Sequence, residues 1–187
     1  MRWSFWRSVE LLESEIVSEQ LPPIPVKVRT YEPRDREVVK HLYVEGLIGG
    51  HLAPNDTGLD IEDVQGAYLS KPGNHLWVAE NEQGEVVGMI AVQVHRESEG
   101  EIRRLRVRQD ARRRGIGARL LETAIKWCQD LGCLKVTLDT YMEREPALKL
   151  FEKFKFKHSR TRDVSGKSLL YFYLDLYSQD RPAQRAQ

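Results

Sequence analysis

A chain of 187 residues is long enough to bury one proper core and too short to divide comfortably into two domains. Its composition, 41% hydrophobic and 30% charged, is that of an ordinary globular protein and excludes a disordered or fibrous chain. Lys and Arg total 29 against 28 Asp and Glu, so the molecule as a whole has no electrostatic pull toward nucleic acid or anionic lipid; any such attraction must be local.

Residues 1–20 set Trp3, Trp6, Val9, Leu12 and Ile16 at spacings of three and four, which predicts an amphipathic helix stopped by Pro22, Pro23 and Pro25. Such a stripe can cover the main domain, pair with a second copy as a homodimer contact, or lie on a membrane surface. Residues 1–24 are read as this helix and a Pro-rich linker, and residues 25–178 as the main domain. From Val26 the pattern becomes short extended runs alternating with helices, which predicts an α/β fold. Val26–Tyr31 is the first predicted strand. Asp35 is placed to cap a helix ending near Gly46, and Asp60 to cap a second ending at Ser70, with a loop over 51–58 between them. Leu76–Glu80 and Val86–Val94 read as antiparallel strands joined through the turn Asn81-Glu82-Gln83-Gly84. Glu101–Val107 is a fourth strand. Ile116, Leu120, Ala124, Trp127 or Cys128, and Leu131 then share one helical face, which Gly132 terminates. Leu134, Val136 and Leu138 alternate as a fifth strand. Pro146 suits the first turn of a helix reaching Phe154, and Leu170, Phe172, Leu174 and Leu176 alternate as the last strand. Residues 179–187 read as a flexible tail.

Cys128 and Cys133 have no second pair and no histidine cluster beside them, so neither a zinc site nor any other metal site is expected. No run approaches the roughly 18 to 20 apolar residues that cross a bilayer, and the N-terminus lacks a signal-peptide core. A cytoplasmic protein without a membrane span is the expectation.

The chemistry concentrates between Val107 and Ala118, where a strand end leads through Arg112-Arg113-Arg114-Gly115-Ile116-Gly117 directly into an amphipathic helix. A helix start exposes unpaired N–H groups and the positive end of its dipole, and glycines there let the backbone close around a phosphate. Eight arginines fall between Arg103 and Arg119, so a concentrated positive field sits at this helix start. A polyphosphate ligand is the natural match, although a charged loop with two glycines is also compatible with a plain solvated cap. A P-loop would need a Gly-Lys-Ser/Thr ending, and a dinucleotide fingerprint would need a third glycine where Leu120 stands.

The remaining pattern, Arg112-x-x-Gly115-x-Gly117, resembles the pyrophosphate loop of the GNAT superfamily of N-acetyltransferases, and the order of strands and helices from Val26 to about Tyr177 is similar to that family's order. The stretch Leu138-Asp139-Thr140-x-Met142 and the arginine-rich strand resemble the camello-like branch. The resemblance implies a mixed, mostly antiparallel twisted sheet of about six to seven strands flanked by about four helices. It also implies acetyl-CoA as co-substrate. Arg112, Arg113, Arg114, Gly115, Ile116, Gly117 and Ala118 would then hold the diphosphate, while Leu105, Arg106 and Val107 resemble the strand whose main-chain N–H groups meet the thioester carbonyl and pantetheine arm. Such N–H groups polarise the carbonyl as an oxyanion hole does. Ala147 to Phe156 resembles the signature Ala-x-x-Leu-Tyr-x-x-x-Gly-Phe that closes the cofactor site.

Two positions depart from that signature. Phe151 stands where the family often has the tyrosine that protonates the departing thiolate, and Lys155 where it often has glycine. Tyr141, just after the fifth strand, is the candidate substitute donor, with a packing role as its alternative. For the base that must take a proton from the amine, Glu101 comes first, because it lies six residues before Val107 on the strand where the histone-acetyltransferase branch carries its glutamate. Its alternative is an ordinary charged strand end, and His51 and His75 are second choices. Direct transfer to a primary amine of a small molecule, amino acid or peptide is the leading expectation, because neither cysteine sits where a nucleophile should. A non-catalytic acyl-CoA-binding module or sensor is the alternative that Phe151 suggests. A nucleic-acid-binding role is disfavoured by the balanced charge.

Overall fold

A computed structural model describes residues 21–47, 56–95 and 98–177. The predicted N-terminal helix, His51 and the 179–187 tail lie outside the described residues. Seven strands form one sheet in the order β1-β2-β3-β4-β5-β7-β6. They are β1 (Val26–Thr30), β2 (His75–Asn81), β3 (Val86–His95), β4 (Glu99–Val107), β5 (Lys135–Tyr141), β6 (Lys157–Val164) and β7 (Lys167–Asp175). Helix α1 spans Arg36–Glu45, the short α2 Leu59–Glu62, α3 Ile116–Asp130 and α4 Glu145–Lys153. Every neighbouring pair of strands is antiparallel except β4 and β5.

Two cores flank the sheet. On one face α3 and α4 bury Ile116, Leu120, Leu121, Ala124, Cys128 and Phe151 against Val87, Ile90, Val136 and Leu138. On the other, α1 and the segment after it bury Val39, Leu42, Tyr43, Ile61 and Tyr68 against Leu76, Val78, Met89 and Ala91. Strands β2 and β3 are therefore buried on both faces, and that is why Val86–Val92 reads as an almost unbroken apolar run rather than an alternation. Helix α3 can lie close to β3 and β4 because Gly88 and Gly100 stand beneath it. A Cβ on Gly88 would come within 3.1 Å of Leu120, and one on Gly100 would run into Cys128 Sγ.

Several expected details differ. Asp35 stands at the N-cap of α1 as expected, but its side chain does not bond that helix, and Asp60 lies inside the first turn of α2, whose N-cap is Gly58. Asp35 instead accepts from Arg29 and from the Glu32 N–H, because a nearby guanidinium and a tight turn compete for it. The predicted helix 60–70 is broken into α2, which starts after Gly58 in the left-handed region (φ 66°), and a π-helical turn Gln65–Leu69. The single strand expected at the end is a hairpin, β6 with β7. Residues Lys157–Val164 gave no strand signal because β6 is an edge strand exposed on both faces until its last residue, so nothing in it alternates. No helix among the described residues is long and apolar enough to cross a membrane.

Candidate active site

Strands β4 and β5 pair only over Glu99–Lys135, Gly100–Val136 and Glu101–Thr137. Beyond those pairs β4 stays with β3 as far as Val107, while β5 stays with β7 as far as Tyr141. The two strands therefore diverge, and the β5-facing backbone edge of residues 102–107 has no strand partner. A bulge sharpens the split. Ala91 pairs with Arg103 and Met89 with Arg106, so three steps along β4 match two along β3. Arg104 sits at the extra position in the left-handed region, φ 57°, where a non-glycine residue is strained.

The wedge opens into a cleft of about 490 Å³ lined by residues of β4, β5, the start of α4 and the β6–β7 tip. It holds the predicted Glu101, Leu105, Arg106, Tyr141 and Phe151, and it also brings in Asp56, Asp139 and Arg144, which sequence reasoning missed. Glu101 Oε2 lies 2.7 Å from His95 Nε2. Asp139, one alternation along β5 from Thr137, has its carboxyl raised above the ordinary range by burial and then by the Glu101 charge. The Tyr141 hydroxyl is likewise raised, by burial and then by Asp139, so it keeps its proton at neutral pH. Phe151 is only 4% exposed and packs its ring 5.9 Å from that of Phe156, so the position it shares with the family tyrosine is a wall of the cleft without a proton to give. Asp139 was legible as an outward residue after Leu138. Arg144 carried no readable signal, because it is a helix-flanking cation until the chain is folded.

His75 is not part of this cleft. Its ring stacks near Trp77 and Trp127, centroids 4.4 and 4.8 Å away, and its Nε2 bonds Thr30 Oγ1 at 2.9 Å. Burial lowers its pKa, which fits an aromatic packing role. Cys128 and Cys133 are buried free thiols under α3, and burial pushes the Cys128 thiol up to about 12, so it is no nucleophile at neutral pH.

The loop before α3 is open to solvent. Gly115 stands just ahead of the helix in the left-handed region, φ 81°, and a Cβ there would meet nothing within 4 Å. No side chain caps α3 and no acidic residue lies in its first turn, so its leading amides keep their pull on an anion. Arg112 donates from Nε to the Val107 carbonyl at 2.9 Å, Arg113 is exposed with φ 60°, and Arg114 has a buried Nε with no partner. Ile116 points into the core and can offer only its amide, Ala118 is half-buried on the first turn, and a Cβ on Gly117 would meet Leu150 of α4 at 3.4 Å. Open amides, flanking guanidinium groups and an orphaned buried donor are a donor set that suits a diphosphate.

Residues 40–156 match the Acetyltransferase (GNAT) family. The chain belongs to this family. Among its curated relatives this GNAT domain is 36% identical over 103 residues to N-acetyltransferase 8 of Homo sapiens, covering 52% of this chain and 45% of that protein. It is 31% identical over 102 residues to the probable N-acetyltransferase camello of Xenopus laevis, covering 54% and 46%. The chain thus matches about half the length of these curated relatives. A GNAT-family acetyltransferase from Staphylococcus aureus has the same fold, with a TM-score of 0.70 at 17% identity over 81% of this chain and 99% of that one.

Proposed function

We propose that the chain passes the acetyl group of acetyl-CoA directly to an amine, without a covalent enzyme intermediate. The observation that carries this reading is the divergence of β4 from β5, which joins an open, arginine-flanked helix start to a cleft holding the carboxylates Glu101, Asp139 and Asp56 and a protonated phenol. Acetyl-CoA, when bound, supplies the acyl group as a thioester.

The amides opening α3, with Arg112, Arg113 and Arg114, would hold the diphosphate, and the free edge of β4 at Leu105, Arg106 and Val107 offers main-chain groups to the pantetheine arm and the acyl carbonyl. Glu101 is the base in this scheme. It faces the cleft, and its bond to His95 gives the proton a route toward solvent. Tyr141 is the acid. Its retained proton replaces the one Phe151 cannot give, and a thiol near its ordinary pKa of about 8.5 needs little help to leave.

Calorimetry with CoA and a thiol-release assay with acetyl-CoA and a panel of amines test the scheme together. Glu101→Gln is expected to lower kcat/KM by about 10²- to 10⁴-fold, with CoA affinity unchanged. Binding of CoA with no acetylated product from any amine would favour the acyl-CoA-binding module, and absence of CoA binding by the folded chain would end both readings.

A further inference from the structure

Two cations in the cleft, Arg106 and Arg144, form no ion pair among the described residues, the nearby Asp56 being bonded by Arg104. Arg106, beyond the β4 bulge, packs its guanidinium so closely on Gly46 that a Cβ there would collide with it. One of its nitrogens donates to the Leu105 carbonyl at 2.9 Å, while its Nε is buried without a partner. Arg144, just before α4, donates to the Gly46 carbonyl at 2.6 Å. Both guanidinium groups therefore converge on the end of α1, and both line the cleft. Among the described residues neither forms a salt bridge, whereas neighbouring Arg104 is satisfied by Asp56 and Asp60.

The α1 carboxyl end softens the repulsion, but a single carbonyl bond uses one of the five N–H donors that each arginine carries. Burial, and then the charge of Arg144, already pushes Arg106 down to about 9. Two cations crowded into a partly dry cleft are unfavourable unless an anion arrives to pair with them. The diphosphate has its own donors at the α3 start. On the opposite wall Glu101 and Asp139, with Arg103 turned aside to Gln93 at 3.0 Å, would repel a multiply charged anion and attract an ammonium group. With Asp56 engaged by Arg104, the cleft is polarised, with acids at the β4–β5 split and guanidinium groups outside any ion pair toward α1, which matches a zwitterion.

We propose that the acceptor is a small amine bearing a carboxylate, and that Arg106 and Arg144 hold that carboxylate while the amino group faces Glu101. This rests on the acetyl-transfer reading and narrows its substrate class. A planar carboxylate suits the guanidinium fork, which offers two parallel N–H donors.

The test uses the full chain, acetyl-CoA, the common amino acids, their carboxamides and spermidine. The best amino acid is expected to exceed its own carboxamide in kcat/KM by about 100-fold, because the amide leaves a buried charge unpaired. Arg144→Ala should raise KM for amino acids by about 30-fold, leave carboxamides within about threefold, and leave the calorimetric affinity for CoA unchanged, with Arg144→Lys in between. Carboxamides or spermidine reacting as well as amino acids would overturn the proposal while sparing acetyl transfer. So would a loss of CoA affinity in Arg144→Ala, which would assign the anion to the cofactor. If no amine is acetylated although CoA binds, acetyl transfer itself fails. Calorimetric titration of the CoA complex with amino acids and carboxamides then decides the subsite: selective binding of the acids supports it, and equal or absent binding removes it.

Discussion

Arg104 shows how a single residue can hold the cleft open. Its guanidinium is 6% exposed and bonds Asp56 at 2.6 and 2.8 Å and Asp60 at 2.5 and 2.8 Å. Burial works against ionising either aspartate, yet the hydrogen bonds from Arg104 outweigh it and hold both carboxyls below the ordinary range. Asp56 also accepts the Gly58 N–H and Asp60 the Tyr68 hydroxyl, so the strained β4 bulge is tied to the entry of α2. Removing the cation while keeping its volume should therefore be severe. Arg104→Met is expected to lower stability by about 3 kcal/mol, because two half-buried carboxylates lose their partner. Adding Asp56→Asn and Asp60→Asn to that variant should recover part of the loss, since no charge is then left stranded. Urea midpoints of the two variants check this, and an Arg104→Met chain as stable as the parent would show that the network contributes nothing net.

At the scale of elements, the decisive fit is α3 against the sheet. Gly100, in the last stretch where β4 and β5 still pair, lies under Cys128, and Gly88 lies under Ile116 and Leu120. The sulfur fills the space a side chain on Gly100 would need. Gly100→Ala should cost about 1 to 3 kcal/mol by overpacking, and Cys128→Ala should absorb most of that cost, giving a coupling of at least about 1 kcal/mol in a double-mutant cycle. Additive effects would mean that α3 shifts as a body instead of clashing. The same elements show what was legible in the sequence. The α3 stripe at Ile116, Leu120 and Ala124 and the β3 run at Val86–Val92 announced themselves, because burial dictates those residue types. Strand β6, with Lys157, Arg160 and Arg162 in the open, could not, because an edge hairpin is specified by its pairing with β7 and not by its own pattern. The open loop at Gly115 could be read locally. The meeting of Arg106 with Arg144 could not, since it requires β4 and α4 to converge on Gly46, and the sequence separates those residues widely.

Taken over the whole molecule, the ionisable groups that folding perturbs set a pH dependence whose sign can be worked out. Burial opposes the charge on Asp35, but the bonds from Arg29 and the Glu32 N–H prevail, so it joins Asp56 and Asp60 in having a folded pKa below its unfolded value. For these three the unfolded chain takes up protons first, near the ordinary carboxylate value of about 3.9, so their contribution is complete above that pH and is lost as pH falls through the folded values. His75 acts in the same direction at a higher pH. Burial keeps it neutral in the fold, so below about 6.5 the unfolded chain gains its proton first and stability declines. Asp139 opposes them. Its raised pKa means that the fold is relieved as this carboxyl is protonated, but it is one group, open to the cleft, against four. Stability is therefore expected to be flat between about pH 7 and 8, to slope gently down between about 6.5 and 5, and to fall steeply below about 4. Urea denaturation at pH 7.5, 5.5, 4 and 3 follows the curve, each pH being a chosen condition. His75→Gln should flatten the gentle limb and leave the steep one, whereas Arg104→Met should shrink the steep limb and leave the gentle one. Equal stability at pH 3 and pH 7.5 would mean that the buried aspartates are not ionised in the fold, and the bulge network built on Arg104 would then have to be discarded.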